Sequence, residues 1–234
     1  MLTIRKVSAL ILLLTSMTVL AAGGDDPLLT KLMIDRFEIQ QTQGSDPVVL
    51  EGQAWVGKDI NKFWVTVDVD DLGGKTEALE LQFLASKAID VYWDATVGWR
   101  HDHVSGANRD WLAFGVQGLA PYFFDVAVLG FVGQGGQAAI RMEAEYEILF
   151  TQKLIMTPSV EVNVHSKNDI SAGVGSGLSD IELGLRLRYE IKREFAPYIG
   201  VNWIRKYGNT ADLATLAGED KADIQFVLGI KAWF

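Results

Sequence analysis

The chain has 234 residues, contains no cysteine, and carries 21 basic against 30 acidic residues, for a net charge of −9. The absence of cysteine excludes a disulfide scaffold, a thiolate zinc site, an iron–sulfur cluster and lipid attachment through an N-terminal cysteine. The acidic balance, with no long basic run, argues against a nucleic-acid partner.

Residues 1–22 have the features of a secretory signal peptide. Arg5 and Lys6 precede an apolar stretch over 7–20, and two alanines follow it. This order of basic, apolar and small residues is typical of a cleaved signal, and the apolar run is short for a membrane-spanning helix. We therefore expect 1–22 to be removed and the rest of the chain to be exported.

The rest of the chain alternates between apolar and polar residues, as β-strands with one apolar face do. In 181–191, for example, apolar residues occupy every odd position. Twelve such strands are predicted, at 31–41, 48–56, 63–70, 77–84, 90–100, 111–119, 123–132, 140–148, 154–165, 181–191, 197–205 and 222–234. An even number of strands places both chain ends on one side of a membrane. We expect a short periplasmic segment at 23–30 and a single domain at 31–234.

The first of these strands has an ambiguous phase. In a regular strand, Arg36 and Glu38 would share a face with the apolar residues Leu32 and Ile34. The opposite face of the strand would then carry Met33 and Asp35. The pattern therefore does not decide which residues of this strand point inward.

The predicted connections alternate in length. Five short turns join strands on one side, whereas long connections rich in Gly, Asn, Asp and Ser occur at 101–110, 166–179 and 206–221. Short turns at one rim and long loops at the other are the layout of an outer-membrane barrel.

Alternation alone does not decide whether the apolar faces meet a protein core or lipid. Lipid is favoured by polar faces dense in opposite charges, and by Phe234 at the end of an alternating last strand. Aromatic residues near strand ends are a third indication, because they are typical of membrane interfaces; they are Tyr92, Trp93, Trp99, Trp111, Tyr122, Phe123, Phe124, Tyr189, Tyr198 and Trp203. We predict an all-β fold: a single up-and-down antiparallel transmembrane β-barrel of 12 strands in a bacterial outer membrane.

Three segments resemble the outer-membrane copper-resistance protein B family, namely GLAPYFF at 118–124, EAEYE at 143–147 and GSGLSDIELGLRLRYEIKREFAPYIG at 175–200. The resemblance extends over nearly all of the chain after the signal. It implies an outer-membrane barrel that exports or sequesters copper beside a periplasmic multicopper oxidase. Family members often carry a Met- and His-rich segment before the barrel, whereas only 23–30 precede the first strand here.

Few residues of the chain suit copper. Copper(I) favours thioether and imidazole ligands, and copper(II) favours imidazole with carboxylate. The candidate ligands are His101, His103, His165 and Met33. By strand phase, His165 faces the lumen, while His101 and His103 lie where a strand enters a long loop. Met142 and Met156 face lipid.

Charged residues on the polar faces are the larger signal. The predicted lumen acids are Asp35, Asp68, Asp70, Asp94, Glu143, Glu145, Glu147 and Glu161, and the predicted lumen bases are Arg100, Arg141, Arg186 and Arg188. One interpretation is an electrostatic path that attracts cations. The other is a set of ion pairs that fills a narrow barrel. The two interpretations are compatible, and together they predict a constricted passage.

We predict a protein of copper resistance that is not an enzyme and that binds copper, passes it across the outer membrane, or does both. The expected partners are copper ions, outer-membrane lipid and a periplasmic multicopper oxidase. One alternative is a passive, narrow, cation-selective porin. Another is an outer-membrane lipid hydrolase, because His103, Ser105 and Asn108 supply the residue types of a Ser–His–Asn hydrolase.

Overall fold

The computed structural model describes residues 26–42, 46–104 and 106–234, and the predicted signal peptide at 1–22 lies outside them. Most of the described chain is β-structure. The strands are β1 (Leu29–Gln41), β2 (Val48–Gly57), β3 (Asn61–Leu72), β4 (Lys75–Ala88), β5 (Trp93–Val104), β6 (Ala107–Ala120), β7 (Phe124–Gly133), β8 (Ala138–Glu145), β9 (Ile148–Leu149), β10 (Leu154–His165), β11 (Gly177–Tyr189), β12 (Phe195–Lys206) and β13 (Ala222–Trp233).

The strands form one closed antiparallel barrel. Strands adjacent in sequence pair with each other, and β1 pairs with β13 to close the ring. The short strand β9 continues β8 after a two-residue break, and both pair with β10, so the barrel has twelve crossings. The predicted fold class is therefore confirmed. Closure gives the backbone polar groups partners without water, as a bilayer requires.

The outward side chains are apolar and the inward ones are polar, the reverse of a soluble barrel. Leu112, Ile199 and Leu228 expose 56, 59 and 62% of their surface. In contrast, Glu38 and Asn202 are 1 and 0% exposed inside the barrel. The apolar face therefore meets lipid, because no other part of the described chain covers it.

A β-bulge after Ile34 changes the phase of β1. Asp35 and Arg36, although consecutive, both bond polar side chains of β2. After the bulge Phe37 is 45% exposed, whereas Glu38 is buried. The extra residue resolves the ambiguity of the sequence pattern, because it turns Arg36 and Glu38 inward without turning the apolar residues before them inward as well.

The predicted long loop at 101–110 is wrong. Strand β5 runs to Val104 and β6 begins at Ala107, with His101 opposite Asp110 in the ladder. Strand β5 therefore extends past its outward-facing Trp99 and forms a hairpin with β6 that carries the polar residues His101, His103 and Asp110.

The other two long connections interlock and cover the long-loop end of the lumen. The connection at 206–221 contains a helix, α1 (Gly208–Ala217), which the sequence analysis treated as loop. Residues 166–176 contact α1: the Gly175 amide donates to Thr210 Oγ1 at 2.9 Å, and Asn209 Nδ2 donates to Ser176 Oγ at 2.9 Å. We call residues 166–176 together with α1 the cap. Within 26–42, 46–104 and 106–234, no helix is long and apolar enough to span a bilayer.

Two of the aromatic residues assigned to the membrane interface face the lumen instead. Trp111 is 6% exposed and its Nε1 donates to Asp102 Oδ2 at 2.9 Å. Tyr198 is 4% exposed and its hydroxyl donates to Glu38 Oε2 at 2.8 Å. Both side chains find inside the barrel the polar partner that lipid does not offer.

Candidate functional site

Ion pairs cross the centre of the lumen. Glu80 of β4 accepts two hydrogen bonds from Arg141 of β8, both at 2.9 Å, and lies 2.7 Å from Arg100 Nη2. Arg100 also pairs with Asp102 at 2.7 Å, and Arg141 with Glu161 at 3.4 Å. We call these five residues the central ion-pair cluster. Because β4 and β8 are four strands apart, the cluster spans the interior rather than lining one wall.

An apolar group closes the space beside this cluster. Phe131 is 2% exposed, and the guanidinium carbons of Arg100 and Arg141 lie 4.5 and 5.9 Å from the centre of its ring. These distances are those of cation–π contacts. Phe131 packs with further buried side chains inside the barrel: Leu84, Trp111, Ala113, Leu129 and Ala139. These side chains narrow the lumen at this level.

A second buried cluster surrounds Glu38. Arg186 Nε and Nη2 donate to the two carboxylate oxygens at 3.1 and 2.9 Å. Gln40 Nε2 and the Tyr198 hydroxyl donate to the same carboxylate at 3.0 and 2.8 Å. The Glu38 side chain is 0% exposed and that of Arg186 is 10% exposed. Because β1 and β11 are three strands apart, this cluster also ties distant walls together.

The predicted lumen charges lie on the inner wall. The strand register turns inward Asp35, Asp68, Asp70, Asp94, Glu143, Glu145, Glu161, Arg100, Arg141, Arg186 and Arg188. Glu147 lies in the break after β8 and pairs with Arg188 at 2.8 Å. Asp94 pairs with Lys62 at 3.4 Å, and Asp35 with Lys231 at 3.4 Å.

Three acids of these two clusters were not among the predicted ones: Glu38 and Glu80, which accept from arginines of distant strands, and Asp102, which pairs with Arg100 on its own strand. Glu38 was obscured by the bulge in β1. Asp102 fell in the wrongly predicted loop. If the strand had been continued, Asp102 would have shared the inward face of Arg100, two residues before it. Glu80 alternates with apolar residues of β4, and this signal was present in the sequence.

The histidines divide between the two faces of the barrel wall. His101 and His103 project outward from the β5–β6 hairpin, and the His101 ring stacks on Trp99 with 5.6 Å between ring centres. His101 Nδ1 lies 2.8 Å from Asp110 Oδ1, and His103 Nδ1 lies 2.6 Å from Asn108 Oδ1. We call His101 and His103 the outward histidine pair.

These contacts fix the chemistry of the pair. Both acceptors are oxygens, so the Nδ1 nitrogens donate and each neutral ring keeps the lone pair on Nε2. An imidazole oriented by an oxygen on one nitrogen and free on the other is the usual form of a histidine that ligates metal. Residues two apart on a strand share a face, so both Nε2 atoms lie on the outer surface.

The other two candidate ligands lie elsewhere. His165 faces the lumen at the long-loop end, with Nδ1 2.8 Å from Ser179 Oγ. Met33 lies opposite Gln53 and Trp233, on the lumen side near the short-turn rim. The described residues contain no group of three or more His, Cys, Asp or Glu side chains arranged to hold a metal ion. The four candidates therefore do not form a common site.

The cap is held over the lumen by an ion pair. Arg109 of β6 donates from Nη2 to Asp169 Oδ1 at 2.8 Å, and its Nε bonds the second oxygen. The Ser171 hydroxyl donates to Asp169 at 2.7 Å, and Gln137 Nε2 donates at 3.4 Å. The hydrogen bonds from Arg109 hold the pKa of the Asp169 carboxyl well below its usual range.

Comparison with known proteins gives a consistent result. The family model described as copper resistance protein B precursor matches residues 28–234. The chain is 43% identical over 203 residues to copper resistance protein B of Escherichia coli, covering 87% of this chain and 69% of that protein. It is 41% identical over 210 residues to a copper resistance protein B homolog of Pseudomonas syringae pv. tomato, covering 90% of this chain and 71% of that protein.

Solved structures with a similar fold are outer-membrane porins. A NanC porin superposes with a TM-score of 0.59 at 11% sequence identity, covering 86% of this chain and 98% of the porin. A KdgM porin superposes with a TM-score of 0.52 at 11% identity, covering 88% of this chain and 99% of the porin. At this identity the likeness concerns the barrel architecture alone.

Proposed function

Because the chain belongs to the copper resistance protein B family, we propose that it binds copper at the outer membrane, with the outward histidine pair as the copper site. Its family and its outer-membrane barrel fold are the premises of this proposal. Copper would be the cargo of the barrel, bound at His101 and His103.

The observation that carries the proposal is the orientation of the two imidazoles. His101 is held by Asp110 and His103 by Asn108, each through Nδ1. Each ring therefore keeps the lone pair of Nε2 for a metal ion, and imidazole nitrogen is a ligand that copper(II) favours. The Asp110 carboxylate also orients the His101 ring, as outer partners of metal-binding histidines do.

The surroundings support a cation at this place more than at His165. The side chains of His101 and Asp110 are 28 and 43% exposed, so an ion reaches them from outside the cell. The cavity at His165 is lined by Arg100, Arg109 and Arg141, and their positive charges would oppose a copper ion there. We therefore assign the first copper contact to the outward pair.

Passage of copper through the lumen would meet an obstacle that binding at the outward histidine pair does not. A copper ion that crosses the barrel has to displace Arg100 or Arg141 from Glu80 and move past Phe131. The same obstacle weighs against a passive cation-selective porin. A periplasmic multicopper oxidase, which the family resemblance implies, would meet the barrel at the short-turn rim, where both chain ends lie.

The experiment is copper binding by the detergent-folded barrel, measured by calorimetry for copper(II), and for copper(I) under reductant. We expect one copper(II) site that the double variant His101→Ala/His103→Ala loses. His165→Ala is the matched control and should bind as the unmodified barrel does. Asp110→Asn should weaken binding about 10-fold or more, as loss of an outer partner does. Unchanged binding in the double variant, or none in the unmodified barrel, would overturn the proposal.

A second candidate function, lipid hydrolysis, is favoured by one contact. His103 Nδ1 lies 2.6 Å from Asn108 Oδ1 on the outward face, and a third group orients the catalytic base of a hydrolase in this way. Ser105, the candidate nucleophile, lies outside the described residues. Fatty-acid release from phospholipid–detergent micelles that Ser105→Ala abolishes would establish this function, and no release by the unmodified barrel would remove it.

A further inference from the structure

A cavity of about 250 Å³ lies at the long-loop end of the lumen and has no part in the copper proposal. Lys167 and Asp169 of the cap line one side, and Arg100 and Arg141 of the central ion-pair cluster line another. At about 30 Å³ per water molecule, its volume holds about eight waters or one small solute.

Two nitrogen atoms in the wall of this cavity, Arg109 Nη1 and Lys167 Nζ, have no carboxylate partner among the described residues. Arg109 uses Nε and Nη2 on Asp169 and Ser171, but its Nη1 is buried and has no hydrogen-bond partner among the described residues. Lys167 Nζ donates only to the Gly135 carbonyl oxygen, at 2.8 Å, and no described carboxylate lies within 4.0 Å of it. A buried N–H of a guanidinium without an acceptor is rare, because such groups are normally satisfied.

The acids that line the same cavity are already engaged. Asp102 accepts hydrogen bonds from both Arg100 and Trp111. Asp169 accepts from Arg109, Gln137 and Ser171. Asp180 accepts from Asn163 Nδ2 at 2.9 Å.

The shape of the remaining wall restricts the occupant further. Val104, Trp111, Phe131 and Val174 supply an apolar surface beside the free donors. His165 bonds Ser179 through Nδ1 and keeps Nε2 as a further polar group of the wall. Free cationic donors beside an apolar surface complement an oxyanion that carries a short hydrocarbon part.

We propose that this cavity binds a small carboxylate solute, whose carboxylate accepts hydrogen bonds from Arg109 Nη1 and Lys167 Nζ. The hydrocarbon part of the solute packs against Trp111 and Phe131. The occupant supplies the acceptor that Arg109 lacks. The site is independent of copper and of the outward histidine pair, which lies on the other face of the barrel wall.

The test uses acetate as the probe, with saturation transfer from the folded barrel to the acetate methyl protons in detergent, without copper. We expect a saturable signal from the unmodified barrel. Lys167→Gln should weaken binding about 10-fold, the effect of losing one charge-assisted hydrogen bond. Arg109→Lys, which keeps a positive charge for Asp169, should weaken it as much. Lys221→Gln, an exposed lysine at the same rim outside the cavity, is the matched control.

Two outcomes would overturn the proposal. Equal acetate affinity in all four proteins would show that the probe binds elsewhere, and no saturable signal from the unmodified barrel would show that the cavity takes no carboxylate. Titration with inorganic phosphate distinguishes the ligand class, since phosphate that binds where acetate does not would refute the carboxylate assignment. Heat-modifiable gel migration establishes that each variant is folded.

Discussion

Replacing Arg186 by methionine should destabilise the barrel far more than the same replacement of Arg188. The two arginines lie two residues apart on β11 and both face the lumen. The partner of Arg186 is Glu38, whose side chain is 0% exposed. Arg188 pairs with Glu147, whose side chain is 52% exposed, and at 3.7 Å with Glu190, whose side chain is 20% exposed. The same chemical change therefore leaves a fully buried carboxylate in one case and carboxylates that water reaches in the other.

The structure gives the size of the difference. Arg186 donates two charge-assisted hydrogen bonds to Glu38, each worth about 1.5–3 kcal/mol. Removing one partner of a buried ion pair costs about 3–5 kcal/mol, so both estimates place the loss for Arg186→Met near 3–5 kcal/mol. An exposed ion pair contributes about 0–1 kcal/mol, which is the loss expected for Arg188→Met.

Urea unfolding of the barrel in phospholipid vesicles, followed by tryptophan fluorescence in both directions, measures these losses. The double variant Arg186→Met/Glu38→Gln should be more stable than Arg186→Met alone, because it leaves no unpaired charge beside Tyr198. The reasoning is refuted if Arg186→Met and Arg188→Met lower the free energy of unfolding by the same amount within about 1 kcal/mol.

Two further predictions concern Phe131 beside the central ion-pair cluster and the ion pair that holds the cap. Phe131→Ala should raise the single-channel conductance in planar bilayers, because it removes the ring packed against both guanidinium groups of the central ion-pair cluster. Leu185→Ala on the lipid face is the control. Equal conductance of the two variants would show that Phe131 does not obstruct the lumen. The pKa of Asp169 is lowered by Arg109, so the stability that this ion pair gives the cap is complete above the ordinary carboxyl pKa of about 3.9 and is lost as the pH falls through the lower folded value. The cap should therefore resist an acid-stable protease at pH 4, whereas the cap of Asp169→Asn should be cut at that pH. Cleavage of the unmodified cap at pH 5 would contradict the role of the Arg109–Asp169 ion pair.

Most of the fold followed from the sequence because membrane barrels impose a simple period. Lipid outside and charge inside require apolar and polar residues to alternate, so 181–191 and 140–148 mark their strands directly. The fold class and the number of strands were right for this reason. The hairpin at 101–110 was missed because both of its faces carry polar residues. Without alternation between apolar and polar residues, its sequence pattern cannot be told from that of a loop.

The cross-lumen contacts could not be predicted in the same way. Alternation gives the face of a residue, but not which residue it meets on the far wall. Arg141 and Glu80 are 61 residues apart in sequence, and only the closed barrel brings them together. Glu38 was hidden by a single extra residue in β1, since one inserted residue reverses the phase of all that follows. The position of His101 and His103 outside the barrel likewise depended on the hairpin.

Copper binding and copper passage make different demands on this barrel. Binding at the outward histidine pair would leave the ion pairs of the lumen in place, since His101 and His103 lie on the outer face of the barrel wall. Passage would require the ion pairs of Glu80 with Arg100 and Arg141, at 2.7 and 2.9 Å, to open. The Phe131→Ala conductance test and the histidine binding test therefore report on separate steps. A barrel that binds copper at the rim and conducts only after Phe131 is removed would act in copper resistance by holding the metal at the cell surface.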